Sequence, residues 1–251
     1  MSSWWMVAAF SAEPRFRDIV VVGGGCYGSF YAGQLTAARA RDAITYRRVI
    51  VVDRNPRCAV AAMVPDDLRE LQLAEWDVFF DSWLGGEAGD GDAIVPSPLM
   101  PHLMFEWLER RARARWPRRT VERVALDTPG ETPYDVLHPD GTRYLSYADW
   151  ICPVHCIEPG TCPMIRAPRS WEMREAVAGI VHRRGSDRRV EGPMIFHCRH
   201  RAFGVGMFDV DEVLSADREL ERAGALPGTF EAVVGTISSC HGAVSALRVS
   251  G

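Results

Sequence analysis

Lysine is absent from this sequence, because all 29 of its basic residues are arginine. This absence excludes two kinds of chemistry. No lysine Schiff base can form, and no phosphate-binding loop of the Gly-Lys-Ser/Thr type is present. Any phosphate that the chain binds must therefore contact arginine side chains, backbone amides or helix ends.

Long apolar runs are absent as well. No segment approaches the roughly 20 apolar residues of a membrane-spanning helix. The short apolar start, MSSWWMVAAF, has no basic residues before it, unlike a secretory signal. We interpret residues 1–17 as a tail or an extra edge element, and we expect a cytoplasmic protein that does not bind membranes.

The charge balance gives no general attraction to nucleic acid. The net charge is −4, and the most basic stretch, ERRARARWPRR, lies at the end of a predicted helix, where positive charge is favourable. We therefore interpret this stretch as a solvated face. Nucleic-acid binding through the arginine clusters is the least favoured of the functions considered.

The seven cysteines are an odd number in a chain without a recognisable secretion signal. This combination argues against a disulfide framework. It favours free thiols, metal-bound thiols or redox-active thiols.

Residues 18–53 have the pattern of one right-handed βαβ unit. Residues 18–22 form a short β-branched run that ends at glycine, which predicts a buried strand. A helix is predicted from Tyr27 to about Arg41. A second buried strand is predicted from Arg48 to Asp53.

The turn between the first strand and the helix fits G-x-G-x-x-G. Gly23 permits a tight turn, Gly25 leaves room for a pyrophosphate, and Gly28 lets the helix pack closely on the sheet. The amides at the helix start, around Cys26 and Tyr27, would then face the phosphates. The alternative is a glycine turn that serves packing only.

Asp53 stands where a carboxylate would bind an adenosine ribose. The alternative is a solvated strand end. Arg54 and Arg57 could receive a 2′-phosphate, although Asp53 favours an unphosphorylated ribose. The sequence leaves the phosphate state of the cofactor open.

With these motifs, residues 18–153 resemble the Rossmann-type dinucleotide-binding proteins, and more narrowly the two-dinucleotide flavoproteins. A predicted strand at TVERVAL, a hairpin at Asp140–Gly141 and a predicted buried strand at YADWICP follow in the order of that class. The resemblance implies a Rossmann-like, mainly parallel sheet with a β-meander, which binds FAD or NAD(P). Residues 154–251 would form a Cys/His-containing α+β extension packed on this domain.

Further helices and strands follow from the apolar pattern. Helices are predicted from Asp67 to Gly85, from Pro101 to Pro117 and from Ser170 to Gly185, with a short one after Asp211. Strands are predicted at PMIFHC and FEAVVGTISSC.

Thiols and imidazoles are dense between residues 152 and 162. Cys152, Cys156 and Cys162 lie within eleven residues, with His155 among them. Such a set suits zinc or an iron–sulfur cluster, although small buried cysteines are an equally good interpretation. We predict Cys152, Cys156, Cys162 and Cys198 as the metal ligands. A nucleophile–base pair at Cys240 and His241 is disfavoured, because adjacent side chains usually point apart.

The sequence therefore predicts an FAD- or NAD(P)-binding, oxidoreductase-like protein with a thiol or metal redox centre. No catalytic residue can be assigned. The alternative is a non-enzymatic nucleotide sensor or assembly subunit whose metal is structural and whose site a protein partner subunit could complete.

Overall fold

Two six-stranded sheets and five α-helices make up most of the described chain. The computed structural model describes residues 14–152 and 156–251. The strands, numbered along the chain, are β1 (Arg15–Val22), β2 (Thr45–Asp53), β3 (Arg69–Leu73), β4 (Ala93–Val95), β5 (Thr120–Val124), β6 (Tyr134–Leu137), β7 (Arg143–Ser146), β8 (Thr161–Cys162), β9 (Ala167–Pro168), β10 (Val190–His197), β11 (Arg199–Ala202), β12 (Val205–Asp209), β13 (Phe230–Ile237) and β14 (His241–Ser250). The helices are α1 (Cys26–Arg39), α2 (Trp76–Gly85), α3 (Leu103–Arg115), α4 (Met173–Arg184) and α5 (Val210–Ala225).

The first sheet has the strand order β11-β12-β4-β1-β2-β3. Its strands β4, β1, β2 and β3 are parallel, whereas β12 and β11 are antiparallel to their neighbours. The second sheet has the order β10-β13-β14-β7-β6, with β5 also on β14, and only its β10–β13 pair is parallel. The fold is thus mixed α/β.

Alternation along the strands divides the apolar side chains into separate cores. In β1, Ile19 and Val21 face α1, whereas Val20 and Val22 face a central layer of α2, α3 and α5. The second sheet covers the far side of that layer, and α4 packs on its outer face. The described elements therefore stack in the order α1, first sheet, central helices, second sheet, α4.

Several local predictions are confirmed. The predicted βαβ unit is β1, α1 and β2, and the predicted hairpin at Asp140–Gly141 joins β6 and β7. Gly141 has φ +87°, the left-handed conformation that favours glycine in such a turn. The predicted helices α3 and α4 also form, and the helix expected after Asp211 forms as α5 but is 16 residues long rather than short. Gly185 ends α4 as expected, but Glu172 rather than Ser170 is its N-cap residue.

Two predictions are wrong. The helix expected from Asp67 begins only at Trp76, because residues 69–73 pair with β2 as strand β3. Leu and Glu favour a helix locally, but pairing with the parallel strand β2 determines the structure of this segment. The segment expected as a buried strand ending at Cys152 is irregular, and Ile151 is 92% exposed.

Each sheet combines strands from both sides of the predicted boundary at residue 153. β5, β6 and β7 precede that boundary but lie in the second sheet, whereas β11 and β12 follow it but extend the first sheet. The two segments are therefore interleaved. Among the described helices, none is long and apolar enough to cross a membrane.

Candidate functional site

The glycine turn, Gly23–Gly28, joins β1 to α1 at the carboxyl edge of the parallel strands. Gly23 has φ +84°, and its N–H donates to the carbonyl of Val52 at 2.9 Å. A Cβ on Gly28 would lie 1.7 Å from the carbonyl oxygen of Gly23, so only glycine fits there. A Cβ on Gly25 would have no atom within 4 Å. Gly23 thus provides a tight turn, Gly25 leaves the space beside the backbone open to a ligand, and Gly28 allows close contact between the helix and the turn.

Asp53 fixes the shape of this turn. Its carboxylate accepts the Gly24 N–H at 2.7 Å and the Asn55 N–H at 2.8 Å. Each carboxylate oxygen can accept a further hydrogen bond. Arg54 is exposed at the surface beside the turn, where its guanidinium forms an ion pair with the Glu75 carboxylate at 3.5 Å.

Trp76 lies against the same turn, which the sequence did not indicate. Its indole Nε1 donates to the carbonyl of Val52 at 3.0 Å. Its ring lies 3.4 Å from the position that a Cβ on Gly23 would take. Trp76 therefore forms part of the wall of the glycine turn, at the start of α2.

The first turn of α1 is open to a ligand. No side chain caps this helix, and its first turn contains no acidic residue. Cys26 and Tyr27 are exposed there. The first N–H groups of a helix have no intrahelical acceptor, and the helix dipole favours an anion beside them.

A central cleft of about 570 Å³ extends from the start of α1 to the β13–β14 turn. Tyr27 and Phe30 of α1 and Pro96 after β4 line it on the side of the first sheet. Ser238 and His241 line it on the side of the second sheet. Its volume is in the range of roughly 300–1,000 Å³ that is usual for ligand pockets.

A smaller pocket of about 230 Å³, the thiol pocket, adjoins the central cleft. Cys152, Cys156, Cys162, Cys240 and His241 all line it. His200, Ser238 and His241 line both cavities, so the two share a wall.

The sulfur atoms of the thiol pocket have specific neighbours. Cys152 Sγ lies 3.8 Å from His241 Nε2, and the Trp171 indole donates to Cys240 Sγ at 3.3 Å. Burial raises the pKa of the Cys240 thiol to about 11, and it also raises the pKa of Cys152, which has Cys156 as a neighbour. Burial lowers the pKa of His241, so its imidazole is neutral at pH 7.

The predicted ligands are only partly brought together. Cys152, Cys156 and Cys162 line the thiol pocket, whereas Cys198 lines the central cleft, where burial raises its pKa to about 12. His155 lies outside the described residues. Within the described ranges, no three His, Cys, Asp or Glu side chains already have the spacing to hold a metal ion.

The sequence analysis considered Cys240 and His241 only as a disfavoured nucleophile–base pair and did not predict that both would line one pocket. Both belong to a tight turn in which the Ser238 hydroxyl accepts the N–H groups of Cys240 at 3.4 Å and His241 at 3.2 Å. In such a turn, successive side chains need not alternate as they do in a strand, so both line one pocket. The SSCHG sequence between two strands was the available signal.

The comparisons with known proteins assign a family to this chain. Residues 104–250 match the AF_1314_C model, described as "Uncharacterized protein, C-terminal domain", and the chain belongs to that family. No curated protein and no solved structure matches the chain. The matched segment contains all four cysteines of the thiol pocket, and the glycine turn lies before it.

Proposed function

We propose that the chain binds a dinucleotide, FAD or NAD(P), at the glycine turn and acts as an oxidoreductase-like protein. The single observation that carries this proposal is the different geometry of Gly23, Gly25 and Gly28. A turn kept only for packing has no need of the open position at Gly25, whereas a pyrophosphate does.

The strand order gives further support. The parallel strands follow the order β3-β2-β1-β4, which is that of one half of a Rossmann-like sheet. Ligands of such sheets bind beyond the carboxyl ends of the strands. The glycine turn and the Pro96 end of the central cleft both lie at that edge.

The residues present fit a dinucleotide in a simple arrangement. The amides of Cys26, Tyr27 and Gly28 would bind the pyrophosphate, and Asp53 would bind the ribose with its remaining acceptor positions. Arg54 would lie at the edge of the ribose site. The bound cofactor would supply hydride or electron transfer. The apolar walls of the central cleft would exclude water from its reactive end.

Nucleic-acid binding has less support, because the arginines of α3 already have acidic partners. Arg110 pairs with Asp81 at 2.9 Å, and both Arg111 and Arg115 pair with Asp217. These pairs neutralise part of the basic stretch within the protein. A non-enzymatic nucleotide sensor or assembly subunit is the remaining alternative, and it requires the same nucleotide site.

Calorimetry with FAD, NAD⁺ and NADP⁺ tests the proposal. We expect one of them to bind the wild-type chain, and we expect Gly25→Val to weaken its binding by about a hundredfold or more because the new side chain fills the pyrophosphate space. Gly33→Val is the matched control. It lies in α1, the helix that Gly25 precedes, and its Cβ would meet only the flexible end of Met63 at 3.9 Å. The proposal fails if none of the three nucleotides binds, or if both variants bind as the wild type does.

The redox behaviour of the bound nucleotide then distinguishes an enzyme from a sensor. An oxidoreductase-like protein should exchange electrons between its bound cofactor and a second redox partner, which anaerobic mixing of the loaded protein with a nicotinamide or dithiol donor would detect. Nucleotide binding without such electron exchange would favour the sensor or assembly subunit.

A further inference from the structure

Four thiols converge on the thiol pocket from segments that are distant in the sequence. Cys152 follows β7, Cys156 and Cys162 belong to the cysteine loop (residues 156–168), and Cys240 lies in the β13–β14 turn. A single half-buried cysteine is most simply a small packing residue. Four around one cavity of about 230 Å³ are the donor set of a soft metal centre.

Glu158 ties the cysteine loop to the turn that carries Cys240. Its carboxylate accepts the Ser238 hydroxyl at 2.5 Å and the Ser239 N–H at 2.8 Å. Its backbone has φ +51°, a left-handed conformation that is unfavourable for a non-glycine residue. The bonds of the side chain offset this cost and hold Cys156 and Cys162 opposite Cys240.

Two of the sulfur atoms already accept hydrogen bonds from N–H groups. The Trp171 indole donates to Cys240 Sγ at 3.3 Å, and the Glu158 N–H donates to Cys156 Sγ at 3.4 Å. Hydrogen bonds of this kind orient thiolate ligands and tune the metal they hold. The indole N–H of Trp150, which also lines the pocket, lies beside the Cys152 thiol but is buried with no acceptor at full hydrogen-bond distance among the described residues. A metal-bound sulfur would provide one.

From this arrangement we propose that Cys152, Cys156, Cys162 and Cys240 bind one thiolate-ligated metal centre, either a zinc ion or an iron–sulfur cluster. Cys240 thus replaces Cys198 as the fourth ligand. The thiols must close on the metal, since no group of them in the described chain yet has ligand spacing. Metal binding is then coupled to ordering of the cysteine loop.

The shared wall places this centre beside the central cleft. His241 lies 3.8 Å from Cys152 Sγ through its Nε2 and lines both cavities. A redox role for the metal rests on the proposed dinucleotide function, but the metal site itself does not. The two are tested by different measurements on the same protein.

Elemental analysis and absorption spectroscopy on untagged protein, purified without air, test the site. We expect about one zinc per chain with no visible absorption, or several irons with matching acid-labile sulfide and a brown colour. Each of the variants Cys152→Ser, Cys156→Ser, Cys162→Ser and Cys240→Ser should lower the metal content about tenfold. Cys198→Ser and Cys26→Ser are matched controls and should keep the metal.

Three results would overturn the proposal. One is less than about a tenth of an equivalent of zinc or iron in the wild type, after loading with each metal under reducing conditions. Another is loss of metal from Cys198→Ser but not from Cys240→Ser. The third result applies if the serine variants do not fold. It is an X-ray absorption spectrum of the metal-loaded wild type that shows fewer than three sulfur ligands. Gly25→Val should lose the nucleotide and keep the metal, so failure of one site is distinguishable from failure of the other.

Discussion

The glycine turn joins two long regular elements, whereas the thiol pocket is lined by loops, a turn and the two-residue strand β8. Backbone hydrogen bonds, contacts too close for a side chain and the carboxylate of Asp53 at the end of β2 hold the turn. In the thiol pocket, the side chain of Glu158 makes the bonds that connect the cysteine loop to the β13–β14 turn. The turn should therefore keep its shape without a ligand, while the thiol pocket should reach its final shape only when its thiols are bound.

The largest expected effect is that of Gly28→Ala. Its Cβ would lie 1.7 Å from the Gly23 carbonyl oxygen, and this oxygen belongs to the backbone and cannot move aside. We expect a loss of more than about 3 kcal/mol in the free energy of unfolding, measured with urea. Gly33→Ala, in the same helix, should change stability by less than about 1 kcal/mol. Equal effects of the two would show that the turn is as adaptable as the thiol pocket.

Acid should lower the free energy of unfolding of the domain that carries both regions. His102, at the start of α3, is buried, and burial lowers its pKa from 6.5 to about 4. Between these values the unfolded chain binds a proton that the folded chain does not, so stability is complete above pH 6.5 and falls as the pH falls. The loss by pH 4 should reach about 3 kcal/mol.

Urea unfolding of the wild type and of His102→Leu, between pH 4 and 7, measures this contribution. The variant should lose less stability than the wild type over that range. Parallel curves for the two proteins would assign the acid sensitivity to other groups.

A smaller effect is expected for Glu158→Ala. It removes two charged hydrogen bonds, and we expect a loss of about 2 kcal/mol together with weaker metal retention. Glu172→Ala is the control, because Glu172 is half-exposed and pairs with Arg169 near the same loop, which is worth less than about 1 kcal/mol. Unchanged metal retention in Glu158→Ala would mean that the thiol pocket is as rigid as the turn.

The parts that the sequence predicted are those that contiguous residues determine. The βαβ unit, the Gly23–Gly28 pattern and the Asp140–Gly141 hairpin each depend on short-range geometry. Strand β3 was missed because its residues favour a helix locally and form a strand only beside β2. The fourth thiol, Cys240, was missed because its neighbours in space are about 80 residues away in the sequence.

The connection between the sheets has a mechanical consequence. β10 of the second sheet ends at His197 and β11 begins at Arg199, so Cys198 alone joins them, and β11–β12 then continues the first sheet. A linker of one residue gives the two sheets little length by which to separate at this edge. We therefore expect the central cleft, which has a wall on each sheet, to keep its width there when it binds a ligand. Access to it must come from side chains and loops at its rim.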